Sequence, residues 1–443
     1  MTAGPRLLKP LRHFAGVNLH RFRQAFVYPR QVRKEMEAFK TNGPRVKGNA
    51  LRIVVLNHAY DQDLQAICEA ASLGHETIWE LSPSVFHKSI HEYLSPRFCD
   101  LYHSNESPEQ APAIQRYTEE FVRPFVEFLI ATTHLDLLLT PSDQFFWFRP
   151  VISVLREKGI PVVVQDKEGT TCRTVVDTLA PLLKNNFPPI SDRYVYWNET
   201  SRAYGNLSGV APALQTVIGQ PRSDYFFMPK RWASRKELGL PEKSKIILFF
   251  TFCDDVYTRE GLTHPGTIHP WLELRRDINK VLSGILQKHP DAYLVIKAHP
   301  QQPDLKDNRR EIKRLIKSKR HVFLTGAASS NQLIVNADVI VGFQSTALLE
   351  ALTTQKPVIY AGWGKELEKL TSDLIPISDS KACVIADSPE SLKNALERLL
   401  QTATPLKETE QTHRKAFIDR FFYSANGLAS RRLLNYLVSL KKA

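Results

Sequence analysis

Cysteine is scarce in this chain of 443 residues, and its five cysteines lie far apart. Their number is odd and no pair has the CxxC spacing of a zinc or redox site, which argues against both a zinc centre and a disulfide framework. We expect the cysteines to be free thiols buried in the core. They are Cys68, Cys99, Cys172, Cys253 and Cys383.

Long apolar runs are also missing. No stretch approaches the roughly 18 apolar residues that a membrane-spanning helix needs. The first thirty residues are interrupted by arginines, prolines and histidines, and they lack the apolar core of a signal peptide. With 43% hydrophobic and 24% charged residues, the composition is typical of a soluble globular protein. We therefore predict a cytoplasmic location.

Acidic residues are rare in the first fifty positions, which contain eleven lysines and arginines but only Glu35 and Glu37. This segment supplies most of the formal net charge of +13. Aromatic and aliphatic residues are interleaved with the cations, which favours peripheral contact with an anionic membrane surface. The alternatives are nucleic-acid binding and an irregular, solvated terminus. No nucleic-acid-binding motif in the sequence supports nucleic-acid binding. We predict that residues 1–48 form a basic membrane-proximal arm and that nucleic acid is not a partner.

Two series of short apolar runs alternate with amphipathic stretches, and a polar segment at 228–243 separates them. Continuous apolar runs of this length are typical of parallel strands that are buried on both faces. The helical stretches between them indicate repeated βα units and an α/β fold. The runs lie at 51–57, 77–81, 135–140, 160–166, 193–197 and 214–219, and then at 245–250, 293–298, 321–324, 338–342, 357–360 and 382–386.

The chain is too long for one ordinary core, so we predict two Rossmann-like domains facing a central cleft. The first covers residues 49–235 and the second covers residues 236–408. A helical segment at 409–443 is long enough to cross back over both domains. Parallel α/β sheets bind ligands outside the carboxyl ends of their strands, so the cleft is the expected site.

One His-Pro dipeptide stands at the carboxyl end of a predicted strand. The apolar run at 293–298 includes Lys297 and leads directly into His299 and Pro300, whereas the other three His-Pro pairs of the chain have no such position. A protonated or hydrogen-bonding histidine there can stabilise charge on a phosphate. The alternative is a loop histidine held in place by its proline. We take His299 as a candidate catalytic residue and Lys297 and Pro300 as candidate ligand-binding residues.

Hydroxyl groups follow another predicted strand of the second domain. Ser345 and Thr346 open the helical stretch ALLEALTT, so their hydroxyls and the first backbone N–H groups can bind an anion. A plain helix cap is the alternative, and both roles are compatible. Glu350, one turn later, either reaches ribose hydroxyls or is an ordinary polar helix position.

A charged loop follows the predicted strand at 160–166 of the first domain. Its residues Asp166, Lys167, Glu168 and Gly169 lie at a carboxyl end that faces the same cleft. A carboxylate beside a glycine, which allows close approach, suits the removal of a proton from an attacking hydroxyl. We expect Glu168 to be this base, with Asp166 as second choice and a charged turn as the alternative.

Two charged residues, Arg222 and Asp224, stand where the chain leaves the first domain. They either line the interdomain crevice and help to bind the ligand, or they form an ion pair at the hinge. No DxD motif follows a convincing strand, so we expect a reaction without metal, although Asp254-Asp255 is a possible metal pair.

Three segments resemble the GT-B transferases that build bacterial surface polysaccharides. Within that clan the resemblance is to bacterial sialyltransferases, capsule Kdo transferases and CDP-glycerol glycerophosphotransferases. It extends from Val162 to Arg432, while the first 160 residues share only the β/α rhythm. The segments are KHPDAYLVIKAHP, ADVIVGFQSTALLEALTTQKPVIYAG and FFYSANGLASRR.

The resemblance implies a glycosyltransferase that moves a sugar from a CMP- or CDP-linked donor to a hydroxyl of a surface polysaccharide or glycolipid. It implies that His299, Ser345 and Thr346 bind the donor phosphate and that Glu168 is the catalytic base. The nucleotide sugar would be a substrate, and no further cofactor is expected. Polyol-phosphate transfer, a non-catalytic nucleotide-binding subunit on the membrane, and a sugar-nucleotide epimerase are the alternatives.

Overall fold

The computed structural model describes residues 51–58, 60–72, 76–91, 93–94, 111–168, 172–254, 258, 269–299, 305–325, 329–370, 374–401 and 408–441. The predicted basic arm lies outside these residues, as do Gly169, Asp255 and Pro300.

Every apolar run of the first series forms a strand. The strands are β1 (Arg52–Leu56), β2 (Thr77–Leu81), β3 (Leu137–Thr140), β4 (Val162–Gln165), β5 (Arg193–Tyr196) and β6 (Gln215–Val217). The helices are α1 (Asp61–Ser72), α2 (Ser84–Ile90), α3 (Ala111–Tyr117), α4 (Arg123–Thr133), α5 (Arg149–Glu157), α6 (Arg173–Asn186) and α7 (Glu199–Leu207).

These strands make one parallel sheet in the order β2-β1-β3-β4-β5-β6. Alternate side chains of β1 enter different layers: Ile53 and Val55 pack with α1, whereas Val54 and Leu56 pack with α4 and α5. Burial on both faces explains why the inner strands β3 and β4 are almost continuously apolar, whereas the edge strands β2 and β6 are partly exposed.

The second series forms an equivalent parallel sheet in which β7 is central. The strands are β7 (Lys245–Phe250), β8 (Ala292–Lys297), β9 (His321–Leu324), β10 (Val339–Gly342), β11 (Val358–Ala361) and β12 (Val384–Ala386). The helices are α8 (Leu272–Lys288), α9 (Leu305–Leu315), α10 (Ser330–Asn336), α11 (Thr346–Leu352), α12 (Lys365–Leu370) and α13 (Pro389–Gln401). The strand order is β12-β11-β10-β7-β8-β9. The predicted α/β architecture is therefore confirmed, while the domain boundaries stay predictions.

The C-terminal segment consists of two helices, α14 (Glu408–Phe422) and α15 (Ala429–Lys441). We predicted one helical segment, but Tyr423 and Gly427 have positive φ angles of 63° and 75°, which end the first helix and turn the chain. Phe421 of α14 is buried in the core of the second sheet, whereas Leu433 of α15 is buried against the first sheet. The segment thus crosses back over both sheets, as predicted.

The first turn of α15 is capped by a residue from the distant hinge. Asp224 lies in the 3-10 segment Pro221–Phe227, and its carboxylate accepts hydrogen bonds from the backbone N–H groups of Ala429 (2.9 Å) and Ser430 (2.7 Å). Burial raises the pKa of Asp224, and the two N–H donors lower it. The alternative of an ion pair between Asp224 and Arg222 is therefore not observed, because this carboxylate caps a helix end instead.

Replacing Asp224 with alanine should lower the free energy of unfolding by about 2–4 kcal/mol, because two buried N–H groups lose their acceptor. Urea denaturation measures the loss. The matched control is Asp419→Ala on α14, whose carboxylate forms an exposed ion pair with Lys415 and should contribute at most about 0.5 kcal/mol. Equal losses in the two variants would contradict the capping role.

Among the described residues, none of the cysteines forms a disulfide. Cys172 and Cys253 are buried, as predicted, and Cys383 is partly exposed. The prediction of burial is wrong for Cys68, which lies on the exposed face of α1.

Candidate functional site

The candidate residues of the second domain surround the point where its strand order reverses. Strands β8 and β9 lie on one side of β7, and β10, β11 and β12 lie on the other. Cys253 follows β7, His299 follows β8 and Ser345 follows β10. Because all strands are parallel, these residues are at the same carboxyl edge, where open α/β sheets bind ligands.

His299 is mostly enclosed at the end of β8. Its Nδ1 atom lies 3.4 Å from the sulfur of Cys253. Burial lowers the pKa of the imidazole, and the charge of the nearby Lys297 lowers it further. Lys297 is itself only 5% exposed, and burial also lowers its pKa. A lowered pKa favours the neutral imidazole, which is suited to hydrogen bonding, and the role of His299 stays a prediction.

Ser345 caps α11, as the sequence predicted. Its hydroxyl oxygen accepts a hydrogen bond from the backbone N–H of Ala347 at 3.2 Å, and Thr346 is the first residue of the helix. An anion-binding role of Ser345 and Thr346 is compatible with this cap and stays a prediction.

Glu350 is buried at the junction between the two sheets, with 2% of its surface exposed. Its Oε1 atom accepts hydrogen bonds from Nε of Arg222 at 2.7 Å and from the side-chain amide of Gln220 at 3.0 Å. Arg222 also donates to both carboxylate oxygens of Asp63, each at 3.1 Å, through its backbone N–H and its guanidinium. Arg222 therefore forms an ion pair at the hinge, with Asp63 and Glu350 as its partners, and its ligand-binding role stays a prediction.

The two carboxylates of the loop after β4 differ in environment. The side chain of Glu168 is 70% exposed, and its carboxylate lies 3.8 Å from the ammonium group of Lys167. Asp166 is partly buried and accepts a hydrogen bond from the backbone N–H of Glu168 at 3.0 Å. Burial raises the pKa of Asp166 to about 6, against the opposing effect of that N–H donor. A general base works best with a pKa near the working pH, so this environment suits Asp166.

Asp63 and Gln220 were not singled out by sequence reasoning. The signal available for Asp63 is its position in α1, where it shares the buried face with Ile67, Ala70 and Ala71. A carboxylate on an apolar helix face needs a cationic partner. That partner is Arg222, which lies 159 residues later in the chain.

Asp254 is occupied by protein contacts. Its carboxylate lies 3.1 Å from Nδ1 of His269 and 3.6 Å from the guanidinium of Arg275, and it is 2% exposed. Within the described ranges, no group of three or more acidic, histidine or cysteine side chains could hold a metal ion.

In the same part of the chain, no helix combines the length and apolar character needed to cross a membrane.

Two parallel Rossmann-like sheets, spanned by a returning C-terminal segment, define the GT-B fold. Residues 242–374 match the family model of the capsule polysaccharide biosynthesis proteins. This segment contains His299, Ser345, Thr346 and Glu350, so the resemblance to capsule enzymes is confirmed there. No curated protein matches the chain.

Several solved structures share the fold. A UDP-N-acetylglucosamine 2-epimerase from Listeria monocytogenes has 14% identity and a TM-score of 0.53, over 89% of this chain and 97% of that chain. The UDP-GlcNAc 2-epimerase of Methanocaldococcus jannaschii has 14% identity and a TM-score of 0.51, over 88% and 99% of the two chains. The Neisseria meningitidis enzyme, bound to UDP-GlcNAc, has 14% identity and a TM-score of 0.50, over 88% and 100%. At these identities the likeness establishes the fold.

Proposed function

We propose that this protein is a glycosyltransferase that moves a sugar from a nucleotide donor to a hydroxyl of a surface polysaccharide or glycolipid. The observation that carries the proposal is the position of the capsule-family segment: it forms the edge of the second sheet where His299 and Ser345 flank the central strand β7. The carboxylate loop after β4 supplies a base from the first domain. The protein would act in the cytoplasm, held at the inner membrane face by residues 1–48.

The proposed reaction needs a base for the acceptor and stabilisation for the leaving group. Asp166 or Glu168 takes the proton of the acceptor hydroxyl, and the resulting oxygen bonds to the anomeric carbon. The bond between that carbon and the donor phosphate breaks, and the nucleotide leaves with the electron pair. His299 donates a hydrogen bond to the departing phosphate, and Ser345 and Thr346 bind the same group. No metal takes part in these steps as we propose them.

The donor nucleotide is proposed to be cytidine-based, because of the resemblance to sialyltransferases, Kdo transferases and glycerophosphotransferases. A thermal-shift screen of CMP, CDP, UDP and GDP tests this. A nucleotide present at 100 times its Kd should add ~2.7 kcal/mol of stability. Free cytidine and inorganic phosphate are the controls, since neither provides both halves of the ligand. A preference for UDP would contradict the cytidine assignment, and no shift with any of the four would contradict nucleotide binding.

A sugar-nucleotide epimerase is the second candidate, because the solved structures of matching fold cited above are described as 2-epimerases. Product analysis separates the possibilities. Incubation of the nucleotide sugar without acceptor yields an isomerised donor if the protein is an epimerase. A transferase requires the acceptor and releases the nucleotide, and a polyol-phosphate transferase turns over CDP-glycerol with release of CMP.

A further inference from the structure

Arg222, the hinge arginine, joins three parts of the molecule that are far apart in the sequence. Asp63 belongs to α1 in the first domain, Arg222 to the segment between the sheets, and Glu350 to α11 in the second domain. Their side chains are 1%, 14% and 3% exposed. Two carboxylates therefore share one guanidinium at a buried junction, where solvent weakens their attraction little.

The guanidinium is held on several sides. Its Nε donates to Glu350 at 2.7 Å, while one terminal nitrogen donates to Asp63 at 3.1 Å and to the backbone carbonyl of Lys167 at 3.4 Å. The central carbon of the guanidinium lies over the ring of Trp197, 4.5 Å from the ring centroid. A planar group with several fixed donors can bridge these acceptors at once, whereas the single ammonium of lysine cannot.

On the donor side, Arg222 orients the carboxylate that we expect to bind ribose. Oε1 of Glu350 accepts the bonds from both Arg222 and Gln220. Its Oε2 accepts no hydrogen bond from any residue that the structure describes. Oε2 is therefore the atom left to accept bonds from ribose hydroxyls. Glu350 lies in the short helix that begins directly after Ser345. A nucleotide bound at Ser345 would therefore also contact Glu350, which is the residue that Arg222 holds.

On the acceptor side, Arg222 contacts the loop that carries the proposed base. The carbonyl of Lys167 lies between Asp166 and Glu168 in the chain, and Arg222 donates to it. Asp63 fixes the same arginine to α1 through two hydrogen bonds. One side chain thus contacts both the loop of the proposed base and the carboxylate of Glu350.

We propose that Arg222 is a positioning residue that couples nucleotide binding at Glu350 to the placement of the carboxylate loop at 166–168, with Asp63 as its anchor in the first domain. This inference rests on the proposed function. It predicts that loss of the contact between Asp63 and Arg222 impairs turnover without weakening nucleotide binding. Loss of the Glu350 carboxylate should instead weaken nucleotide binding.

The test compares Asp63→Asn, Glu350→Gln and Arg222→Met by titration calorimetry with CMP, CDP, UDP and GDP, and by steady-state release of nucleotide from the sugar donor. Asp63→Asn should lower kcat at least tenfold and change the nucleotide Kd less than threefold. Glu350→Gln should raise the Kd at least tenfold. Arg222→Met should do both, and Arg222→Lys, which keeps the charge, should still lower kcat at least tenfold.

Arg414→Met is the matched control for loss of a buried arginine. Arg414 is 4% exposed and donates to the backbone carbonyls of Thr354, Lys356 and Ala382, within the second domain and away from the hinge. It should lose stability yet keep kcat and Kd within threefold of the wild type. If the wild type turns over its donor and Asp63→Asn behaves like Arg414→Met, the coupling is wrong and the proposed function stands. A wild type that binds no nucleotide overturns both.

Discussion

Replacing His299 with alanine is expected to lower kcat/KM for sugar transfer at least 100-fold. The imidazole is partly buried at the end of β8, beside Cys253 and close to Lys297, and its lowered pKa favours the neutral form. A neutral ring placed in advance donates a hydrogen bond to the charge that develops on the leaving phosphate. Removal of one such donor typically reduces the rate by about 10²- to 10³-fold.

Steady-state kinetics with the nucleotide sugar and its acceptor measure this loss. The chain offers a matched control in His289, which also precedes a proline but stands before β8 rather than after it. His289→Ala should remain within about threefold of the wild type. A wild-type rate for His299→Ala, again within threefold, would show that the histidine does not stabilise the leaving group.

Replacing Asp166 with asparagine should reduce kcat by about 10²- to 10⁴-fold if it is the base, since this is the usual contribution of general base catalysis. The base must be ionised to accept a proton. Because burial raises the pKa of Asp166 to about 6, the wild-type rate should fall as the pH drops below about 6 and the carboxylate becomes protonated. Above that pH the base is ionised and the rate should level off.

Glu168→Gln is the comparison variant, because Glu168 is the first choice from the sequence and is far more exposed than Asp166. The pH–rate profiles of both variants decide between the carboxylates. If Asp166 is the base, Asp166→Asn loses more activity and lacks the decline near pH 6, while Glu168→Gln retains that decline. A larger loss in Glu168→Gln would identify Glu168 as the base.

The local pattern was sufficient for the architecture. All twelve apolar runs form strands. The inner strands are apolar almost throughout because they are buried on both faces, whereas the edge strands β2 and β6 are partly exposed and tolerate polar residues. The position of His299 at a carboxyl end followed from the same reasoning, since a His-Pro pair directly after an apolar run marks where a strand ends. The break between α14 and α15 was missed, because it depends on the positive φ angles of Tyr423 and Gly427.

The hinge contacts were not accessible to the same reasoning. Asp63 belongs to no recognisable motif. Its partner Arg222, which compensates the cost of burying the carboxylate, lies 159 residues later in the chain. An ion pair between Asp224 and Arg222 was one of two alternatives from the sequence, yet Asp224 caps a helix that begins 205 residues later. Such contacts depend on how segments that are distant in sequence pack against one another, which spacing along the chain does not specify.

By itself, the sequence determined the two parallel sheets, the order of their elements along the chain and the strand ends at which polar residues gather, because periodicity and burial are local properties. Only the tertiary structure decided which polar residues share a site. It partly buried His299 and thereby lowered its pKa, left Glu168 exposed while partly burying Asp166, and paired Arg222 with Asp63 and Glu350. Burial and the distances between charges set these properties, and both exist only after the chain has folded.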